Sequence, residues 1–271
     1  MIAKKGAKKA VKKSVKKSAS KGSKSADKTS KVKGLEKTPT GITAFDEMCS
    51  GGFNKESVNL VVGGAGSGKT IFSVQFLVGG LKKGETCMYI TFEEKREELF
   101  KNVLEFGFNL EDYEKSGKFI FIEYSPEKVK SMLEEGGGTL ESLVYKKKIN
   151  RLVIDSVTSF TLLFESELAK REAALALFDI IKRWKCSVLL TMEKELSSEE
   201  LFYGSESAME FEVDSVILMF FLRMKTGERT RLIEILKMRG TRHSKYVYPF
   251  MITSKGVEIS KTPLKKVDIL H

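Results

Sequence analysis

At 271 residues, 41% hydrophobic and 31% charged, the chain is long enough to bury a sizeable core as one or two domains. Its net charge of +11 is unevenly placed: thirteen lysines against the single acid Asp27 put twelve positive charges in residues 1–33, leaving the rest near −1. The body therefore has no composition-level claim to bind nucleic acid. The longest apolar run, residues 216–222, is far too short for a membrane span, and three scattered cysteines with two histidines argue against a disulfide framework or a His/Cys metal site. A soluble, cytoplasmic protein is expected.

Residues 1–33 repeat a Lys-Lys pair every four positions, from Lys4-Lys5 to Lys16-Lys17, among Ala, Ser, Gly and Val. Such a tail buries too little apolar surface to offset chain entropy, so disorder is expected. A four-residue period could line one broad face if a polyanion induced helix. The tail is expected to bind a polyanion, nucleic acid non-specifically by counterion release ahead of an anionic membrane surface, or to be a solubilising extension.

The body is expected over residues 34–262, with a C-terminal extension at 263–271. Glycine turns at Gly41 and Gly51-Gly52 frame a short helix over 43–48. The β-branched run 58–62 reads as a buried strand and 71–81 as a helix with broad apolar cover. Between them stands GGAGSGKT, Gly63 to Thr70, which fits G-x-x-x-x-G-K-[ST]. A glycine-rich turn from strand to helix lets backbone N–H groups converge on phosphate oxygens, and the helix N-terminus adds its own unpaired donors. Gly64, Ala65, Gly66, Ser67, Gly68, Lys69, Thr70 and Ile71 are the expected nucleotide contacts. Lys69 is expected to reach the β- and γ-phosphates of ATP, and the Thr70 hydroxyl to ligate Mg2+.

A strand over 87–92 runs into Glu93-Glu94, followed by a helix over 95–106 that Gly107 stops. A strand over 119–122, a helix over 140–148 and a strand over 151–154 come next, and the last ends in Asp155-Ser156. Asp155, closing an apolar strand, is placed to hold Mg2+. Glu93 and Glu94 are placed to orient and deprotonate the water that attacks the γ-phosphate. A helix over 168–184 leads to a strand over 187–191; two hairpins follow, 214–222 with 231–236 and 246–252 with 256–259. Alternating strands and helices imply an α/β fold: a central, mostly parallel sheet with flanking helices and an antiparallel C-terminal edge.

The segments TPTGITAFDEMCSGGF, GGAGSGKT, YITFEE, LVIDS, YGSESAMEFEVDSVILM and EILKMRGTRHSKYVYPFMIT together resemble a single KaiC-type domain of the RecA/RadA P-loop superfamily. KMRGTRH followed by YPF is the most specific of them. The resemblance implies a Mg2+-dependent ATPase with a RecA-like fold that forms a homo-oligomeric ring, a hexamer, and acts as a slow switch. It also implies that Glu93 and Glu94 are the catalytic pair. Lys237, Arg239 and His243 would reach a neighbouring subunit's nucleotide, Arg239 as a cationic finger on the developing phosphoryl charge. KaiC clock proteins carry two such domains in tandem, whereas this chain has one nucleotide loop, and Thr191-Met192-Glu193 stands where Thr-Thr-Glu is common. Two other classes share the nucleotide loop: a RadA-like DNA-binding ATPase, and a nucleotide-gated scaffold with little turnover. The first needs DNA-gripping loops, here 158–170 and 194–212, and the second of these is rich in glutamate.

Overall fold

The computed structural model describes residues 35–125, 128, 131, 138–161, 163–197 and 208–265. The expectations for the lysine-rich tail and for residues 266–271 lie outside the described residues.

Alternating strands and helices set the order. β1 (Lys37–Thr38) pairs antiparallel with β2 (Phe53–Asn54) in a small separate sheet, and α1 (Thr43–Met48) lies between them in sequence. Then come β3 (Val58–Gly63), α2 (Lys69–Leu81), β4 (Cys87–Thr91), α3 (Arg96–Leu104), α4 (Leu110–Lys115) and β5 (Phe119–Glu123). Next follow α5 (Gly138–Lys147), β6 (Arg151–Asp155), α6 (Val157–Thr161), α7 (Glu167–Arg183) and β7 (Ser187–Glu193). The last are α8 (Ala208–Glu212), β8 (Ser215–Arg223), β9 (Arg229–Met238), β10 (Tyr248–Thr253) and β11 (Gly256–Ile259).

The main sheet has nine strands in the order β11-β10-β9-β8-β3-β7-β6-β4-β5. From β5 to β8 every neighbouring pair is parallel, and from β8 to β11 every pair is antiparallel. The expected parallel sheet with an antiparallel C-terminal edge is therefore what forms.

Period-2 alternation along the central strands assigns side chains to two cores. Leu60, Val62, Met88, Ile90, Leu152, Ile154, Val188 and Leu190 face one core, shared with α5 and α7. Val61, Tyr89, Val153 and Leu189 face the other, shared with α1, α2 and α3. Continuing that alternation puts Asp155 and Thr191 on the α2 side, toward the first turn of the helix that follows the glycine-rich loop. α2 is apolar nearly all round, with Phe72, Val74, Phe76, Leu77 and Leu81 buried, and this rigid seating fixes its N-terminus.

Some local readings change. The segment after β6, expected as a loop over 158–170, is helical at α6 and again from residue 167, where Ser166 caps α7 by accepting from the Ala169 N–H at 3.1 Å. The acidic segment 194–212 ends in α8; positions 198–207, with Glu199, Glu200 and Glu206, lie outside the described residues. At the C-terminal side the Leu264 N–H donates to Val247 O at 2.8 Å.

Candidate nucleotide-binding site

β3, β4, β6 and β7 end together at one edge of the parallel sheet, and the chemistry gathers there. Gly68 caps α2 with φ +100, a left-handed backbone that a side chain rarely adopts. The turn so formed aims the loop's backbone and the first N–H groups of α2 at one spot. Ser67 Oγ is buried in this loop without a hydrogen-bond partner, which suits a cradle built for an external acceptor.

Lys69 bends back over the loop and donates to Gly63 O at 2.8 Å and Gly64 O at 2.9 Å. Burial pulls its ammonium below the ordinary lysine range, while Glu193, Asp155 and Glu195 pull the other way. A partly desolvated cation held only by two carbonyls is well prepared to exchange them for phosphate oxygens.

Three hydroxyls converge on Asp155. Thr70 Oγ1 donates to Oδ2 at 2.9 Å, Tyr89 Oη to the same oxygen at 2.7 Å, and Thr191 Oγ1 to Oδ1 at 2.5 Å. They come from α2, β4 and β7, and meet because β4 and β7 flank β6 in the sheet. The peptide between Asp155 and Ser156 is cis. Thr70 and Asp155, the two expected Mg2+ ligands, are therefore adjacent, and their hard oxygen donors fit that ion.

The paired glutamates diverge. Thr91 Oγ1 accepts the N–H groups of Glu93 at 3.2 Å and Glu94 at 3.1 Å, which turns the chain off the end of β4. Glu93 is exposed and its Oε1 accepts from Ser159 Oγ of α6. Glu94 is half-buried and accepts from Asn102 Nδ2 at 3.4 Å. Burial pushes the Glu94 carboxyl above its ordinary range, Asn102 pulls it down, and the Asp155 charge adds to the rise.

Lys237, Arg239 and His243 are not at this edge. Met238 pairs with Ser215, which pairs with Asn59, so this part of β9 is level with the start of β3. Gly63 lies four residues further on, about 13 Å at ~3.3 Å per residue. Lys237 Nζ donates to Glu210 O at 2.8 Å and Phe211 O at 3.0 Å, and Arg239 Nη2 to Phe211 O at 2.6 Å. His243 Nδ1 lies 2.9 Å from Ser244 O. Within one chain Lys237 and Arg239 therefore lie at the opposite end of the sheet from the nucleotide loop.

Sequence reasoning missed Tyr89, Thr191 and Ser159 as partners of the acidic residues, and it missed Glu195 at the nucleotide loop, where Oε1 accepts the Ala65 N–H at 3.3 Å. Among the described residues no helix is long and apolar enough to cross a membrane. All three cysteines are free and buried.

A glycine-rich loop closing a central parallel strand, with an acidic residue at the end of a strand two places away, defines a RecA-like P-loop fold. The family model of the KaiC ATPase matches residues 38–263. The chain belongs to the KaiC-like ATPase family. It is 34% identical over 245 residues to the circadian clock protein KaiC3 of Synechocystis, covering 87% of this chain and 47% of that protein. It is 34% identical over 239 residues to a UPF0273 protein of Thermotoga maritima, covering 83% of this chain and 96% of that protein. The crystal structure of the KaiC-like protein PH0186 from Pyrococcus horikoshii superposes with a TM-score of 0.71 at 34% identity, over 83% of this chain and 99% of that one. The chain thus spans about half the length of the KaiC3 relative and nearly the whole length of the other two.

Proposed function

We propose that this chain is a Mg2+-dependent ATPase working as one subunit of a ring, a hexamer, in which slow hydrolysis drives a switch. The observation that carries the reading is the gathering of Lys69, Thr70 and Asp155 at one sheet edge, with Glu93 and Glu94 at the end of the adjoining strand. Lys69 would leave the carbonyls of Gly63 and Gly64 for the β- and γ-phosphates. Thr70 and Asp155 would hold Mg2+, which neutralises phosphate charge when bound. Tyr89 and Thr191 keep both Asp155 oxygens oriented. Glu93 and Glu94 orient the attacking water and take its proton, and the terminal phosphoryl group leaves ADP.

The ring is supported by where the cationic residues lie. Lys237, Arg239 and His243 cannot serve their own chain's nucleotide from the far end of the sheet, so they are assigned to a neighbour's, with Arg239 as the finger. The lysine-rich residues 1–33 belong to a separate role, sequence-independent binding of nucleic acid through phosphate contacts. The cytoplasm, whose thiols stay reduced, is the compartment this reading assigns.

Phosphate release from ATP with and without Mg2+ tests the reading. Wild-type protein should turn over slowly and only with the ion, and Lys69→Ala should neither bind ATP nor release phosphate. Retained ATP affinity in Lys69→Ala would show that the loop is not the nucleotide site.

A further inference from the structure

Glu195 lies against the nucleotide loop in a way the nucleotide-site chemistry does not require. Its Oε1 accepts the Ala65 N–H at 3.3 Å, so one of the loop's amide donors already carries an internal anion. A Cβ on Gly64 would come within 2.5 Å of Glu195 Oε2 and 2.7 Å of Oε1, so the carboxylate rests directly on the loop backbone. Gly64 occupies a free position of the motif and has no left-handed backbone to account for it. The Glu195 carboxylate thus occupies the space where a side chain at this position would begin.

The backbone that carries this exposed side chain is held on both sides. On one side the Lys194 N–H donates to Gly63 O at 3.1 Å, extending the β3–β7 pairing by one residue. On the other side Leu196 is buried in the core shared with α7. Pinned between a sheet bond and a core anchor, Glu195 reaches the loop at the Gly64–Ala65 end. Lys69 Nζ rests on the carbonyls of Gly63 and Gly64. A motif lysine reaches the β- and γ-phosphates, so this end belongs to the terminal phosphate of a bound nucleoside triphosphate.

Resting on the nucleotide-site reading, we propose that Glu195 is a specificity-determining residue that penalises the terminal phosphate of a triphosphate. A γ-phosphate must displace the carboxylate from Ala65, or sit beside it at a cost in like-charge repulsion. A diphosphate leaves that end of the loop to Glu195. Triphosphate occupancy therefore displaces the Glu195 side chain, whereas diphosphate occupancy leaves the contact in place.

The test is equilibrium titration of the full-length wild-type protein and of Glu195→Gln, each with ATP and with ADP in the presence of Mg2+. Removing the charge should tighten ATP binding on the order of tenfold, the scale of one charge-assisted hydrogen bond, and ADP binding clearly less. Glu195→Ala, which leaves no group on the loop, should reproduce the preference, and thermal unfolding checks that each variant is folded. An equal gain for both nucleotides, no gain, or weaker ATP binding in a folded variant overturns the proposal and leaves the nucleotide site standing. If the wild-type protein binds neither nucleotide, the nucleotide-site reading falls and this inference falls with it.

Discussion

Replacing Tyr89 by phenylalanine removes one donor from Asp155 and leaves everything else about that side chain in place. The ring is fully buried on the α2 side of β4, stacked against Phe121 with centroids 6.0 Å apart, and Tyr89→Phe keeps that packing. The hydroxyl donates to Asp155 Oδ2 at 2.7 Å. Burial first, and then the Asp155 charge, push the phenol well above its ordinary range, so the group remains a donor at any working pH. A hydrogen bond to a charged acceptor contributes about 1.5–3 kcal/mol. A domain of this size shifts roughly 2–4 °C per kcal/mol, so the midpoint should fall by about 3–12 °C. The loss should depend on the Asp155 charge. In an Asp155→Asn background Tyr89→Phe should cost less, with a coupling of about 1 kcal/mol or more in the double-mutant cycle. Unfolding of the four proteins without nucleotide measures it. A cost below about 0.5 kcal/mol, or one that is the same in both backgrounds, would refute the view that this hydroxyl holds Asp155.

Glu94→Gln should lower turnover by at least about tenfold, as expected for loss of a positioned base, while ATP affinity changes little. Its carboxyl is raised by burial in the native protein, so its favourable contribution to stability is full at low pH and is lost as pH rises through the native pKa. Glu94→Gln should therefore unfold at a slightly higher temperature than wild type at neutral pH, and turnover of wild type should fall as pH drops through that raised pKa; a variant less stable at neutral pH contradicts the sign. Deleting residues 1–33 should abolish DNA binding and leave ATP turnover nearly unchanged. Full-length binding should be sequence-independent and fall steeply across a salt series. A truncated body that grips single-stranded DNA and is stimulated by it would favour the recombinase-like class instead.

The parts of the fold legible in the sequence are those whose signal is local. β3 and α2 announce themselves by a β-branched run and a broad apolar helix around the glycine-rich loop. Asp155 is legible because it ends an apolar strand. β1 and β2 are two residues each and show no periodicity, and α4 is a six-residue helix with only Leu110 buried. The partners of Asp155 were not legible for a different reason. Tyr89 and Thr191 are 66 and 36 residues from it in sequence and reach it only because β4 and β7 flank β6. Thr191 could have been suspected as a strand-end hydroxyl. Glu195 could not: its segment reads as generic acidic loop, and its position depends on the bond from Lys194 to Gly63 and the anchoring of Leu196.

The placement of Arg239 at the opposite end of the sheet from Lys69 also has a consequence for the assembly. A subunit that supplies the carboxylates and a subunit that supplies the arginine must be different copies if both serve one nucleotide. Arg239→Ala should remain folded with turnover sharply reduced, and Glu93→Gln/Glu94→Gln should be inactive on its own. The most direct measurement is therefore phosphate release from a mixture of these two proteins, with the oligomer mass followed in the presence of ATP and Mg2+. The account predicts that mass rises with ATP and that mixing restores part of the activity, because some interfaces then pair intact carboxylates with an intact arginine. A protein that stays monomeric with ATP, or mixed oligomers that form and recover no activity, would contradict it.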